Sequence, residues 1–308
     1  MKAIVLVGGE GTRLRPLTYT TPKQLLPVAG VPMLERSVGH LAAHGVDEVI
    51  LSMGYKADAF MAAYPEGVCA GVRVRYVVED EPLDTGGAIA YAADEAGVEG
   101  RFVVVNSDVV TDMDFSALVG WHARSGALAT IGLTPVEDPS RFGVVVTESD
   151  GRVTSFIEKP AAGTAPSNLI NAGIYVMVRA ALDIVERGRR VSVEREVFPA
   201  MVANGALFAF AVEGYWIDIG NPTAYVQANL DIAGNSVIDP TAKVDPSAVV
   251  TDSVVHDHAV VGPGAVLDRA IVGAGATVGV GASVRDYAVV GPGASVADGA
   301  EVVGGSVE

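Results

Sequence analysis

Up to about residue 230, short apolar runs alternate with stretches whose apolar positions recur at helical spacing. Residues 3–7, Glu48–Met53, Val72–Val78, 102–105 and 129–134 read as strands, and residues 33–45 and 87–96 as amphipathic helices. This alternation predicts an α/β sandwich around a largely parallel sheet. In such sheets the working loops sit at the carboxyl ends of strands. The first strand runs straight into Gly8-Gly9-Glu10-Gly11, which places a glycine loop at such an end.

From about Asn235 the pattern changes completely. Helical periodicity vanishes and valine recurs every six residues, at 254, 260, 266, 272, 278, 284, 290, 296 and 302. An earlier run, Ile238, Val244 and Val250, has the same step but a different phase, so one turn is expected to be irregular. Glycine and alanine fill the positions between. Hexapeptide repeats build a parallel β-helix with one inward side chain per face, and twelve hexads on three faces make about four coils. The segment resembles left-handed β-helix domains. A disordered tail is a poor alternative, because β-branched residues at a strict period bury well.

Composition narrows the function. With a formal net charge of −16, the 308-residue chain is ill suited to nucleic acid or to anionic membrane surfaces. An anionic substrate must therefore be met by a local cluster of cations. The single cysteine, Cys69, excludes an intrachain disulfide and any cysteine-based metal site. The N-terminal apolar run is too short for a signal peptide, and no run suits a transmembrane helix, so a cytoplasmic protein is expected.

The opening loop fits neither common nucleotide motif. Gly9 and Gly11 match a dinucleotide-binding loop, but Leu14 stands where its third glycine belongs, and a Walker Gly-Lys-Ser/Thr is absent. What remains is Gly8, Gly9, Gly11, Thr12 and Arg13, followed by Lys23 in Thr-Pro-Lys-Gln. Backbone amides of such a loop can wrap phosphate oxygens, with Arg13 as a planar fork and Lys23 as a compact charge. A tight turn carrying surface cations would read the same way.

Two aspartates stand out by position. Asp108 follows the apolar strand FVVVN, and Asp218 sits in Trp-Ile-Asp-Ile, where a carboxylate is costly without a partner. Helix capping and a salt bridge are the alternatives to metal ligation.

The chain also resembles a known family. GGEGTRLRPLT followed by PKQLLPVAGVP is similar to the signature of sugar-1-phosphate nucleotidyltransferases. EDEPLDTGGAI, VVNSDVV, FGVV, FIEKP, INAGIYV, SVEREVFP and GYWIDIGNPTAY follow in that family's order. The likeness is greatest to mannose-1-phosphate guanylyltransferases. It implies a Rossmann-like mixed sheet, glycosyltransferase-A-like, over residues 1–232, with the left-handed parallel β-helix over 235–308. It implies attack by a sugar-1-phosphate on the α-phosphorus of an NTP, giving an NDP-sugar and pyrophosphate. By the same resemblance Arg13 and Lys23 hold the triphosphate and Lys159 the sugar phosphate, while Asp108 and Asp218 ligate Mg²⁺. Gly8, Gly9, Gly11, Thr12, Glu79, Glu81 and Gly86 would line the nucleotide, and Asn106, Gly143, Glu158, Asn171 and Gly173 the sugar.

A carboxylate only accepts hydrogen bonds, and guanine offers it two adjacent donors. Glu79 or Glu81 near the base therefore points to GTP, and the resemblance points to mannose-1-phosphate. Glucose-1-phosphate or a cyclitol phosphate with another NTP is the alternative. Two rivals come from other classes. One is a β-helix acyltransferase using His256 or His258; the other is a non-catalytic nucleotide-sugar sensor, which would have lost Arg13, Lys23, Asp108 or Asp218. A homo-oligomer formed through the β-helix is also expected.

Overall fold

A computed structural model describes residues 1–54 and 56–308. The chain folds as two compact units. One comprises Met1–Gly9 with Glu35–Trp216, the other Glu10–Leu34 with Ile217–Glu308.

The first unit is a mixed sheet flanked by helices. Its parallel half consists of β1 (Lys2–Leu6), β2 (Glu48–Met53), β3 (Val72–Val78) and β4 (Arg101–Asn106), in the order β4-β1-β2-β3. β1 carries Ala3, Ile4 and Val5, all fully buried, as expected of a strand covered on both faces. β3 lies nearer the edge, and its burial alternates buried and exposed along Val72–Arg75. The other half makes the sheet mixed, as the resemblance implied, where the alternation alone pointed to a largely parallel one. β5 (Ala129–Pro135), β6 (Gly143–Thr147), β7 (Val153–Glu158) and β8 (Leu169–Val178) form it, and β8 runs antiparallel to β4, β5 and β6. β9 (Leu207–Ala211) closes this half parallel to β5. One apolar core joins Ile4, Ile50, Phe102, Ile131, Tyr175, Phe198 and Leu207.

The predicted helices are present as α1 (Met33–Ala43) and α2 (Asp84–Glu95). α3 (Phe115–Ser125) starts with Asp114, whose carboxylate accepts from the Ala117 amide, and ends at Gly126 with φ +69°.

The second unit holds α4 (Pro222–Ala233), capped by Asn221, and a parallel β-helix of three sheets, one five-stranded and two four-stranded. The three stacked sheets fit the left-handed form. Its inward series follows the six-residue count from Val272 to Val302 and runs one residue later before it, at Val255, Val261 and Leu267. Val255, Val261, Leu267, Val272, Val278 and Val284 fill the interior, while Val260 is 38% exposed. The reason is coil length. Val237, Val254 and Ile271 stack at steps of 17 residues, and Val289 follows Ile271 by 18. One face of most coils therefore advances five residues rather than six. Interior alanines such as Ala259, Ala265 and Ala276 keep the faces close. No helix among the described residues is long and apolar enough to cross a membrane.

Candidate active site

In the first unit, an irregularity in β8 shapes the candidate sugar pocket. β8 pairs with β5 through Leu169–Asn171 and again from Tyr175, and the register shifts between. Such breaks re-aim side chains next to active sites. Gly173 lies in the break with φ +72°, and its N–H donates to Asn171 Oδ1 at 2.9 Å. A Cβ there would come within 2.8 Å of Asn106 Nδ2, so Asn106, the last residue of β4, lies directly over the glycine. Asn171 Nδ2 donates in turn to the Tyr175 hydroxyl at 2.9 Å. Tyr175 is fully buried, and burial, then the neighbouring Glu194 carboxylate, push its phenol well above the usual range.

Gly143 faces Glu158 across the β6–β7 pair, and a Cβ on it would lie 3.1 Å from Glu158 Oε2. Lys159 follows with φ +48°, its amide donating to the Phe142 carbonyl at 3.0 Å. Its ammonium is 3.4 Å from Glu158 Oε1 and the side chain is 61% exposed. Asp108 is half-buried in the turn between β4 and the short strand Val109–Thr111, where the Ser107 amide donates to the Leu6 carbonyl. Asn106, Gly143, Glu158, Asn171 and Gly173 thus come from neighbouring strands of one sheet, and Lys159 directly follows one of them.

The candidate base-reading residues behave differently from one another. Strand β3 ends at Val78, before the glutamates. Glu79 accepts from Ser52 Oγ at 3.1 Å and from the Leu83 amide at 3.0 Å, so its carboxylate ties β2 to the start of α2. Glu81 is exposed and lines a cleft of about 360 Å³ with Leu83, Gly87 and Tyr91. Gly86 is buried, and a Cβ there would meet the Val191 carbonyl at 3.0 Å. Its missing side chain admits the 191–193 backbone, a role the sequence did not suggest. Thr85 joins the same contact, giving its hydroxyl proton to Glu194 and accepting from the Val193 amide.

Gly8 and Gly9 are exposed at the end of the first strand, Gly9 with φ +105°. In the second unit the loop folds around Gly11. The Gly11 carbonyl accepts from Thr18 Oγ1 and the Leu14 amide, both at 2.9 Å. A Cβ on Gly11, at φ +62°, would sit 3.0 Å from Thr18 Cγ2 and 3.2 Å from Lys23 Cβ. Glycine therefore lets the root of Lys23 close against the loop. Lys23 is only 8% exposed, whereas Thr12 and Arg13 are exposed. The Arg13 guanidinium lies against Gly220, where a Cβ would be 2.9 Å from Nη2. Gly220 N–H donates to the Asp218 carbonyl, which sets Arg13 beside the turn that carries half-buried Asp218. Arg15, by contrast, pairs with Glu10 at 2.7 Å.

Among the described residues no three or more His, Cys, Asp or Glu side chains gather as a metal cluster. His256 is buried and stacked on Tyr225, and His258 occupies an exposed corner. A buried, ring-stacked imidazole is poorly placed to act as an acyltransferase base.

Tyr175, Thr85 and Glu194 were missed in the sequence. Tyr175 stands at the same parity as Asn171 and Gly173 along INAGIYV, and that alternation was the available signal.

Residues 2–235 match the nucleotidyl transferase family, and residues 217–307 match the GMPPB C-terminal domain. Mannose-1-phosphate guanylyltransferase of Mycobacterium tuberculosis is 40% identical over 243 residues, covering 78% of this chain and 67% of its own. Mannose-1-phosphate guanyltransferase of Schizosaccharomyces pombe is 40% identical over 267 residues, covering 79% and 73%. The crystal structure of HddC from Yersinia pseudotuberculosis superposes with a TM-score of 0.65 at 29% identity, over 75% of this chain and 99% of HddC. A second HddC structure, complexed with GMP-PN, gives 0.64. With one family spanning most of its length and relatives at 40% identity, the chain belongs to the nucleotidyl transferase family.

Proposed function

We propose that the chain transfers the guanylyl group of GTP to mannose-1-phosphate, giving GDP-mannose and pyrophosphate. The observation that carries this reading is the 40% identity to mannose-1-phosphate guanylyltransferases over more than three quarters of the chain. A phosphate oxygen of the sugar attacks the α-phosphorus, and the bond to the bridging oxygen of the β-phosphate breaks as pyrophosphate leaves. The protein must orient two polyanions and offset their charge.

In this proposal Arg13 and Lys23, with the amides of Gly8, Gly9, Gly11 and Thr12, hold the triphosphate. Lys159 holds the sugar phosphate. Glu158, Asn171, Asn106 and the bare backbone at Gly143 and Gly173 receive the sugar. Glu79 is engaged by Ser52 and Leu83, so exposed Glu81 is the better acceptor for the two guanine donors. Gly86 acts indirectly, by seating α2.

Nucleotidyltransferases of this family generally use a divalent metal, and we assign Mg²⁺, held by Asp108 and Asp218. The donor chemistry suits that cation: two half-buried aspartates offer the hard carboxylate oxygens Mg²⁺ prefers, and substrate phosphates and water would supply the remainder of its shell. When bound, the cation offsets the charge that develops on the phosphates.

Pyrophosphate release from a matrix of four NTPs and several sugar-1-phosphates tests the substrates, with GTP and mannose-1-phosphate expected to lead. Asp108→Asn and Lys159→Ala are each expected to cost about a hundredfold or more in turnover with the fold retained. Wild-type rates in either would remove its assigned role. The proposal includes a cytoplasmic enzyme and a homo-oligomer through the β-helix, where Val249, Val280 and Val303 are more than half exposed. A monomer at every concentration in light scattering would refute the oligomer.

A further inference from the structure

A buried polar chain in the second unit ends on the backbone of the hairpin that follows Lys23. Tyr225 and Asn229 lie one turn apart on α4, both fully buried, and His256 on the β-helix is 6% exposed. The His256 ring stacks on Tyr225, with centroids 5.9 Å apart and planes 16° from parallel. His256 Nε2 is 3.2 Å from the Tyr225 hydroxyl, which also contacts the Pro27 carbonyl. A carbonyl only accepts, so the phenol's one proton goes to Pro27. The phenol oxygen must then accept from His256, which fixes the imidazole as the Nε2–H tautomer. Burial keeps that ring neutral, pushing it down to about 4.

Asn229 supplies a second link. Its Oδ1 accepts from the Ala29 amide and its Nδ2 donates to the Tyr225 carbonyl, both at 2.8 Å. Pro27 and Ala29 belong to the tight hairpin Pro27–Val28/Val31–Pro32, in which Ala29 and Gly30 have φ of +46° and +78°. Immediately upstream, the Leu26 amide donates to the Lys23 carbonyl at 3.0 Å. Apolar filler would pack this space but would not specify a direction. Hydrogen bonds to Pro27 and Ala29 do, because each has a narrow geometry and comes from a fully buried side chain.

We infer that His256, Tyr225 and Asn229 are positioning residues through which the β-helix sets the backbone of Lys23 for the triphosphate. The inference rests on the reading of Lys23 as a triphosphate ligand.

The test uses the full chain and inorganic pyrophosphate, a probe that needs neither base nor sugar. His256→Phe keeps a stacked ring and loses the N–H donor, whereas His256→Gln keeps a donor near Nε2 and loses the ring. If the donor positions the loop, His256→Phe weakens pyrophosphate binding about tenfold, in line with the cost of a small misplacement. It also speeds hydrogen exchange at the Ala29 amide and leaves mannose-1-phosphate binding unchanged. His256→Gln stays near wild type. The reverse order, or wild-type affinity in His256→Phe, overturns the inference. Should His256→Phe fail to fold, Asn229→Ala removes the other link and is expected to show the same loss; wild-type affinity there overturns it equally. A wild-type chain that binds no pyrophosphate would defeat the reading of Lys23 itself, and the inference with it. Normal wild-type binding with unchanged variants defeats the positioning role alone.

Discussion

Asn171 uses both ends of its amide within the protein: Oδ1 receives the Gly173 amide and Nδ2 gives a proton to Tyr175. An amide has two donors and two acceptor sites, so one of each is left, and their orientation is fixed. That orientation is what a sugar hydroxyl would read. The Gly173 N–H only donates and so sets which end is Oδ1; Tyr175→Phe removes the partner that holds the Nδ2 end in place. It is expected to raise KM for the sugar phosphate about tenfold, with a smaller change in KM for the NTP, and to cost about 1 kcal/mol of stability. Steady-state kinetics with each substrate varied checks this; equal rises in both KM values would contradict it. Two buried histidines set a pH dependence. His122, bonded to Thr130 Oγ1 at 2.8 Å, and His256 are pushed by burial from 6.5 down to about 4. Between those values the unfolded chain takes up protons that the folded chain refuses. Stability is therefore full above about pH 6.5 and falls as pH drops toward 4, by a few kcal/mol in all. Urea midpoints at pH 7.5 and 5 read the slope, and His122→Asn should flatten it. A midpoint that does not move would contradict the assignment.

At the scale of elements, Glu48–Met53 and Val72–Val78 match the sequence expectation residue for residue, because they are continuous apolar or alternating runs bounded by polar segments. The antiparallel half of the sheet was harder to read. β7 is mostly half-buried, and the break in β8 coincides with a close approach of Gly173 to Asn106, a residue distant in sequence. The β-helix phase was obscured by valine doublets such as Val254-Val255 and Val260-Val261, where either residue can point inward. The engagement of Glu79 and Gly86 was equally hidden, since it depends on Ser52 and on the 191–193 segment, distant in sequence. Coil corners offer a clean test of this architecture. Gly264, Gly275, Gly281 and Gly293 adopt positive φ three residues after the strand ends, each just before an interior alanine. His258, at φ +56° before Ala259, occupies the equivalent place. A non-glycine residue pays about 1–2 kcal/mol in the left-handed region, part of which glycine returns through its freer unfolded state. His258→Gly should thus raise stability by about 1 kcal/mol without altering turnover. Thermal unfolding measures the first and pyrophosphate release the second; a lower melting temperature would show that the His258 side chain has a stabilising contact.

For the whole molecule, the linear boundary near residue 232 and the spatial one differ, because Glu10–Leu34 folds with Ile217–Glu308. We propose that 1–232 still carries the reacting groups, with the β-helix acting on the loop it supports. The core of the first unit, from Ile4 to Ala209, lies wholly within that segment, so a chain ending at residue 234 is expected to fold. It would retain α4, hence Tyr225 and Asn229, which still hold Pro27 and Ala29. It would lose His256, and also Gly291, against which Pro16 packs so closely that a Cβ would lie 2.7 Å from Cγ. One contact at each end of the loop is lost, at Tyr225 and at Pro16, while Asn171, Gly143 and Lys159 keep all their neighbours in the first unit. Truncation is therefore expected to raise KM for the NTP by at least about tenfold and to leave the affinity for sugar phosphate near wild type. Circular dichroism verifies folding before the two substrates are titrated separately. Equal weakening of both would mean that the β-helix stabilises the whole chain, and no weakening would mean that α4 alone is sufficient to hold the loop.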